Sequence, residues 1–385
     1  MDCQRDLFSL PENHHYLNCS YLSPLPKSVE EAGIEGIKSK NRPWETTPRH
    51  FFKDSSRLRA LFADLVGAEG EQDIAIMPAV SYGLATVARN LDSSRGSDIV
   101  VTGEQFPSNV YVWSRYCKEH NCRLKVVDPP ADSNHRGREW NERLYDAIDS
   151  DTLLVALGNV HWTDGTLFDL HAIGERARQK DAYFVIDGTQ SVGALPMDVQ
   201  QVQPDALICA GYKWLMGPYA MTLGYFSPEM QNGMPLEEGW IVRKNSEDFS
   251  KLVDYEDDYQ PGARRFDMGE RSNFILVPMM IEALRHILEW DPRIIQRYCG
   301  RLTSRIVAEL PKYGYRIEDA EWRGQHMFGI RLPEGLPIEK LKQKLDRRNV
   351  HVSVRGTAVR VAPNVYNDER DIAVLEETLA ELAEE

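Results

Sequence analysis

Two side chains near the middle of the chain have the types and spacing for carbonyl chemistry. Asp187 closes the apolar run Tyr183-Phe184-Val185-Ile186-Asp187, and Lys213 lies just past a second run, Ala206-Leu207-Ile208-Cys209-Ala210. Apolar runs this short, bounded by glycine, read as buried strands. If the strands are parallel, both side chains emerge at the carboxyl edge of one sheet, where open α/β folds bind ligands. Singly, each has an ordinary reading as a surface lysine or a capping aspartate at a strand end. Together they place an amine and an acid in one cleft. Tyr212, Trp214, Leu215, Met216 and Pro218 surround the lysine, and desolvation among such neighbours lowers an amine's pKa toward that of a usable nucleophile.

The pair suits pyridoxal 5'-phosphate, which needs a lysine for its aldehyde and an acid beside its pyridine nitrogen. Lys213 is then the catalytic residue and the Schiff-base former, and Asp187 keeps the ring protonated. The stretch DGTQSVGALPMDV followed by AGYKWLMGP closely resembles the class V aminotransferase family of pyridoxal-phosphate enzymes, which includes cysteine desulfurases, kynureninases and isopenicillin N epimerase-like proteins. The resemblance runs from about residue 16 to the end of the chain.

Further site residues follow from that resemblance. Val80 and Ser81 match the family's phosphate-binding pair; from sequence alone Ser81 is simply a helix N-cap, though free amides at a helix start also bind phosphate. Phe106 falls where desulfurases carry a histidine stacked on the cofactor and other members an aromatic. Trp162 stands where several relatives have an asparagine that touches the cofactor's phenolic oxygen, and Gln190 matches the residue that usually bonds that oxygen. Tyr212 precedes the lysine, as in kynureninases. Arg360, in Val359-Arg360-Val361-Ala362-Pro363, matches the arginine that grips the substrate α-carboxylate, a task suited to its planar fork; Arg355 is a second candidate. His161 is either a substrate-side base or a structural histidine. Gly269 lies in a loop, residues 262–273, that in relatives reaches the partner subunit's phosphate, although Glu270 replaces the threonine expected there. No metal ligand set is expected.

The elements that position these residues read as an α/β protein, and the resemblance implies the type I, aspartate aminotransferase-like fold of pyridoxal-phosphate transferases. Strand centres at Ile74, Ile99, Val126, Leu154, Phe184, Leu207 and Leu223 give a mainly parallel seven-stranded sheet, mostly spaced for helical crossovers. The large domain is placed at residues 16–260 and a smaller C-terminal α/β domain at 261–385, joined by the N-terminal segment 1–15. Leu58, Leu61, Phe62 and Leu65 keep helical spacing up to Gly67. In the smaller unit, helices are expected around 280–290, 294–310 and 338–348, with strands at 327–332, 350–354 and 358–361. The proline-punctuated segment 16–26 is extended and, by the resemblance, passes beside the active site; as a plain connector it reads equally well. Trp240 either walls the substrate pocket or is structural.

Composition narrows the partners. Of 385 residues 42% are hydrophobic, and the net charge is −14, which disfavours nucleic acid and anionic membranes. Six cysteines are scattered without CxxC spacing, the pattern of thiols kept reduced in the cytoplasm. The start of the chain lacks signal-peptide character, and no apolar run reaches membrane-spanning length. A cytoplasmic location is expected, and the resemblance implies a homodimer acting on an amino acid as its small-molecule substrate.

The reaction is less constrained. Desulfurases deliver a nucleophilic cysteine on a loop within a longer R-x-G-x-x-C segment, whereas this chain reads Arg355-Gly356-Thr357-Ala358-Val359-Arg360. Kynureninases usually carry histidine where Gln190 stands. Transamination is the leading expectation; a β-elimination or carbon–sulfur lyase, a desulfurase-like enzyme, an epimerase and a non-catalytic cofactor-binding homologue are the alternatives. Dinucleotide chemistry is disfavoured because no GxGxxG follows the first strand.

Overall fold

The computed structural model describes residues 1–131, 135–336, 338–355 and 358–384. In chain order the strands are β1 (His15–Tyr16), β2 (Ile74–Met77), β3 (Asp98–Thr102), β4 (Arg123–Val127), β5 (Thr152–Gly158), β6 (Tyr183–Asp187), β7 (Ala206–Ala210), β8 (Thr222–Phe226), β9 (Arg316–Ile317), β10 (Phe328–Arg331), β11 (Val350–His351), β12 (Ser353–Arg355) and β13 (Ala358–Val361). Seven of them form the main sheet in the order β2-β8-β7-β6-β5-β3-β4. The pairings β7–β6, β6–β5, β5–β3 and β3–β4 are parallel, and β8 alone runs against its neighbours β2 and β7. This is the mainly parallel seven-stranded α/β sheet the strand spacing anticipates.

Both faces of that sheet are covered over its central strands β5, β6 and β7, which is why these read as apolar runs, whereas the edge strand β4 is partly exposed. Phe184 and Ile186 of β6 join one hydrophobic cluster while Tyr183 and Val185 join the other; Ile74 and Ile76 of β2 part in the same way from Ala75 and Met77. The helix His50–Val66 buries Leu58, Phe62 and Leu65 and stops at Gly67, whose φ of 68° is the left-handed conformation that ends helices. It packs with Lys27–Ser39 against the helix Leu276–Trp290.

The C-terminal part carries a four-stranded antiparallel sheet, β12-β13-β10-β9. One strand reading needs correction. The apolar stretch 350–354 is not a single strand: it breaks at Val352, β11 pairing in parallel with β1 and β12 pairing with β13. A two-residue strand has no periodicity to show which partner it serves. Gly356 and Thr357, the middle of the short Arg355–Arg360 segment, lie outside the described residues.

The N-terminal segment is stitched along this part of the molecule. Leu17 donates to His351 O (3.0 Å), Ala362 to Leu17 O (2.8 Å), and Cys19 to Ala362 O (3.1 Å). From there it crosses to the loop after β7, where the Ser23 amide donates to Tyr212 O (3.1 Å).

Candidate active site

Asp187 ends β6 and Lys213 follows β7 by three residues; the two strands are parallel neighbours with Asp187 opposite Ile208. The side chains therefore meet at the carboxyl edge of the sheet, lining one cavity of about 240 Å³. The loop after β7 is folded tightly: Gly211 donates to Met221 O, Gly217 to Gly211 O (both 2.8 Å), and Met216 to Lys213 O (3.0 Å). A Cβ at Gly217 would stand 2.2 Å from Met280 Sδ, so any larger residue there would have to displace that buried side chain.

Lys213 is 8% exposed. Burial pulls its pKa down to about 8, against the opposing pull of Asp187 and with the added repulsion of Arg360. Near neutrality roughly a tenth of the amine is thus unprotonated and nucleophilic, far more than for an ordinary lysine. Burial likewise raises the Asp187 carboxyl, which Thr189 and Lys213 partly counter. Its Oδ1 accepts from the Thr189 amide (3.0 Å). Thr189 also accepts from the Ala210 amide through Oγ1 (3.2 Å), tying the ends of β6 and β7 together. Sequence reasoning passed over Thr189; its place two residues after Asp187 in the same motif was the available signal.

Across the cavity the helix Val80–Arg89 begins with no side-chain cap, and Ala79, Val80 and Ser81 line the space. Its first amides lack intrahelical acceptors and carry the positive end of the helix dipole. Phe106 presents a 39% exposed ring, with Lys213 Nζ 5.8 Å from its centroid, and Trp162 meets it edge-on at 5.5 Å. Trp162 is anchored by its indole donating to Glu104 O (2.7 Å). Gln190 donates to Ser20 O (3.0 Å) and accepts from Trp214 (3.0 Å), which leaves one amide hydrogen for a ligand. Tyr212 lines the cavity and its ring lies 4.5 Å from that of Tyr219. The segment 16–26 does pass here: Cys19 contacts Lys213 O, and Ser23 Oγ donates to Tyr212 O (3.3 Å).

Arg360 is 1% exposed; it donates to Trp162 O and to Ser353 Oγ (3.3 Å), and its Nε has no partner. Among the described residues no carboxylate pairs with it, and burial followed by repulsion from Arg355 lowers its pKa to about 10. A buried cation without a counter-charge is costly. Arg360 does not itself line the Lys213 cavity; it is bonded to the carbonyl of Trp162, which does, and leaves an electrostatic demand for an anion there.

Three sequence candidates fall elsewhere. His161 is 2% exposed, with Nδ1 on Thr163 Oγ1 (2.8 Å), Nε2 on Gly103 O (3.2 Å) and its ring 4.8 Å from Trp140. Both nitrogens are committed to the fold, and the side chain does not line the cavity. Gly269 lines a different cavity with Phe51, Trp240 and Phe274, and its amide donates to Glu237 Oε2 (2.6 Å). Trp240 packs on Phe51 and Phe249 there instead of walling the Lys213 pocket.

Residues 37–372 match the family model described as aminotransferase class-V. The chain belongs to the class-V aminotransferase family. As a class-V member it is 25% identical over 374 residues to an uncharacterized aminotransferase, YcbU, of Bacillus subtilis, covering 96% of this chain and 94% of that one. It is also 25% identical to a probable cysteine desulfurase of Methanothermobacter thermautotrophicus, covering 99% of this chain and 98% of that one. Its fold is that of the cysteine desulfurase from Thermococcus onnurineus, at a TM-score of 0.81, 21% identity and coverage of 100% and 99% of the two chains.

Proposed function

We propose that the cavity holds pyridoxal 5'-phosphate and that the protein is an aminotransferase acting at the Cα of an amino acid. The observation that carries this reading is Lys213, buried, with its pKa brought down to about 8, in one cavity with Asp187 and opposite an uncapped helix start. The donor set fits the group. Lys213 would hold the cofactor through its aldehyde and Asp187 through its pyridine nitrogen, the start of the helix at Val80 and Ser81 would take its phosphate, and Phe106, Gln190, Trp162 and Tyr212 would border its ring.

Bound there, the cofactor supplies an electron sink for negative charge developing at the substrate Cα. Arg360 orients the substrate by its α-carboxylate, donating through its fork. Lys213, once its amine is free, takes the Cα proton and holds it. The outcomes separate at the next step: delivery of the proton away from Cα gives transamination, protonation of the opposite face of Cα gives epimerisation, and departure of a Cβ group with its bonding electrons gives elimination. A carbon–sulfur lyase or desulfurase-like activity is the second reading, favoured by the desulfurase relative. The cysteines near the site argue against a thiol relay, because Cys19 is wholly buried with its thiol pushed up to about 12, and burial also raises Cys209.

The proposal includes a homodimer, in which the loop around Gly269 meets the second copy's site, and a cytoplasmic location. Among the described residues no helix is long and apolar enough to cross a membrane. The test is a screen of the purified, cofactor-loaded protein against amino acids, with keto acid, ammonia and sulfide assayed in parallel. Keto acid formed in step with an acceptor's amination supports transamination; ammonia or sulfide without an acceptor shifts the assignment to a lyase.

A further inference from the structure

The hairpin β12–β13 pairs Ser353 with Arg360 and Arg355 with Ala358. Directly opposed residues share a face, so Arg355 and Arg360 project from the same side of the hairpin, two residues apart in register, or about 7 Å along the strands. Both guanidinium groups reach Trp162. Arg360 donates to its carbonyl, and the Arg355 guanidinium lies 5.7 Å from its ring centroid, within cation–π range.

Arg355 is half-buried; it donates to Val354 O (3.1 Å), while its Nε is shielded from solvent without a partner. Among the described residues neither arginine has an acidic partner within ion-pairing distance, and the charge of Arg355 bears directly on Arg360. Lys213 adds further repulsion, since Arg360 lowers its pKa. One α-carboxylate satisfies Arg360 and leaves the second cation uncompensated beside the same indole.

We infer that the site is built for amino acids with a second acidic group, Arg360 taking the α-carboxylate and Arg355 the side-chain acid across Trp162. This rests on the functional reading above and names its substrate class. Arg355, on the same face of the hairpin as Arg360 and over the same indole, is then a specificity-determining residue.

The test is calorimetric titration of the cofactor-loaded protein with succinate and glutarate against butyrate and pentanoate, loading being recorded beforehand by visible absorption. The parent protein should bind a diacid at least about tenfold more tightly than the monoacid of equal length, the scale of one added charged hydrogen bond. Arg355→Gln should remove that preference while leaving the monoacids within about twofold, and Arg360→Gln should weaken both classes. Arg355→Lys, which keeps the charge and loses the fork, should retain part of the preference and stands in if the glutamine variant fails to fold. Equal affinities in the parent, or a parallel loss of both classes on changing Arg355, overturn the inference. A protein that never acquires the visible absorption refutes the functional reading, and this inference with it.

Discussion

Acidification should weaken the protein through one histidine that supports the site from below. His326 is fully buried; its Nε2 faces Gln190 O (2.8 Å), its Nδ1 faces the Gln296 side-chain nitrogen (2.7 Å), and its ring lies edge-on to Trp214 at 4.5 Å. Nε2 must therefore donate and Nδ1 accept, which fixes the neutral tautomer. Gln296 cannot turn to receive a second proton, because its oxygen already accepts from the Gln325 amide (3.0 Å) and its nitrogen donates to Ala194 O (2.7 Å). Burial lowers the His326 pKa from 6.5 to about 4. Above 6.5 neither folded nor unfolded histidine is charged, and the contribution to stability is whole. As the pH falls from 6.5 toward 4 the unfolded chain binds a proton that the folded one resists, so stability is lost across that window, by on the order of 3 kcal/mol. The assay is urea unfolding of the parent and of His326→Gln from pH 7.5 to 4. Groups common to both proteins cancel in the difference, so the parent's advantage at neutral pH should shrink by about that amount on acidification. A difference that stays constant with pH would refute the neutral, enclosed histidine.

Two further predictions concern buried arginines. Arg360→Lys keeps a charge but loses the planar fork, so kcat/KM for α-amino acids should fall roughly a hundredfold with cofactor loading unchanged; retained turnover with collapsed loading would assign the arginine to the cofactor or the fold. Asp267 accepts from the Ile76 amide (2.7 Å), from Arg271 (2.6 Å) and from Arg59, all of them buried. Asp267→Ala should therefore destabilise by about 3–5 kcal/mol in thermal or denaturant unfolding, because two enclosed guanidinium groups lose their counter-charge; a cost below about 1 kcal/mol would show that water reaches them.

The parts of this molecule legible in the sequence are those governed by local pattern. Asp187 and Lys213 announce themselves because strands buried on both faces are continuous apolar runs, and parallel neighbours bring their carboxyl ends together. The helix that follows β2 was legible too, but its start was not: Ser81 reads as an N-cap, whereas the helix begins at Val80 with Ala79 in the cap position. What escaped depends on partners distant in the chain. His326 serves Gln190 from 136 positions away, and Asp267 serves Arg59 from 208; neither leaves a periodic trace. For His161, read as either a substrate-side base or a structural histidine, the contacts with Thr163 and Gly103 favour the structural reading. Gly269 lies in a loop whose position within one chain is set by Glu237. The break at Val352 follows from which sheet edge each short strand meets, a matter of tertiary geometry.

The central claim is that Lys213 is the residue to which pyridoxal 5'-phosphate becomes covalently attached. Borohydride reduction of the loaded protein, followed by proteolysis and mass analysis, reads it directly. The expected result is one reduced cofactor adduct per chain, on the peptide containing Tyr212-Lys213-Trp214, and none in Lys213→Ala. An adduct on a different lysine, or an undiminished adduct in Lys213→Ala, would contradict the assignment.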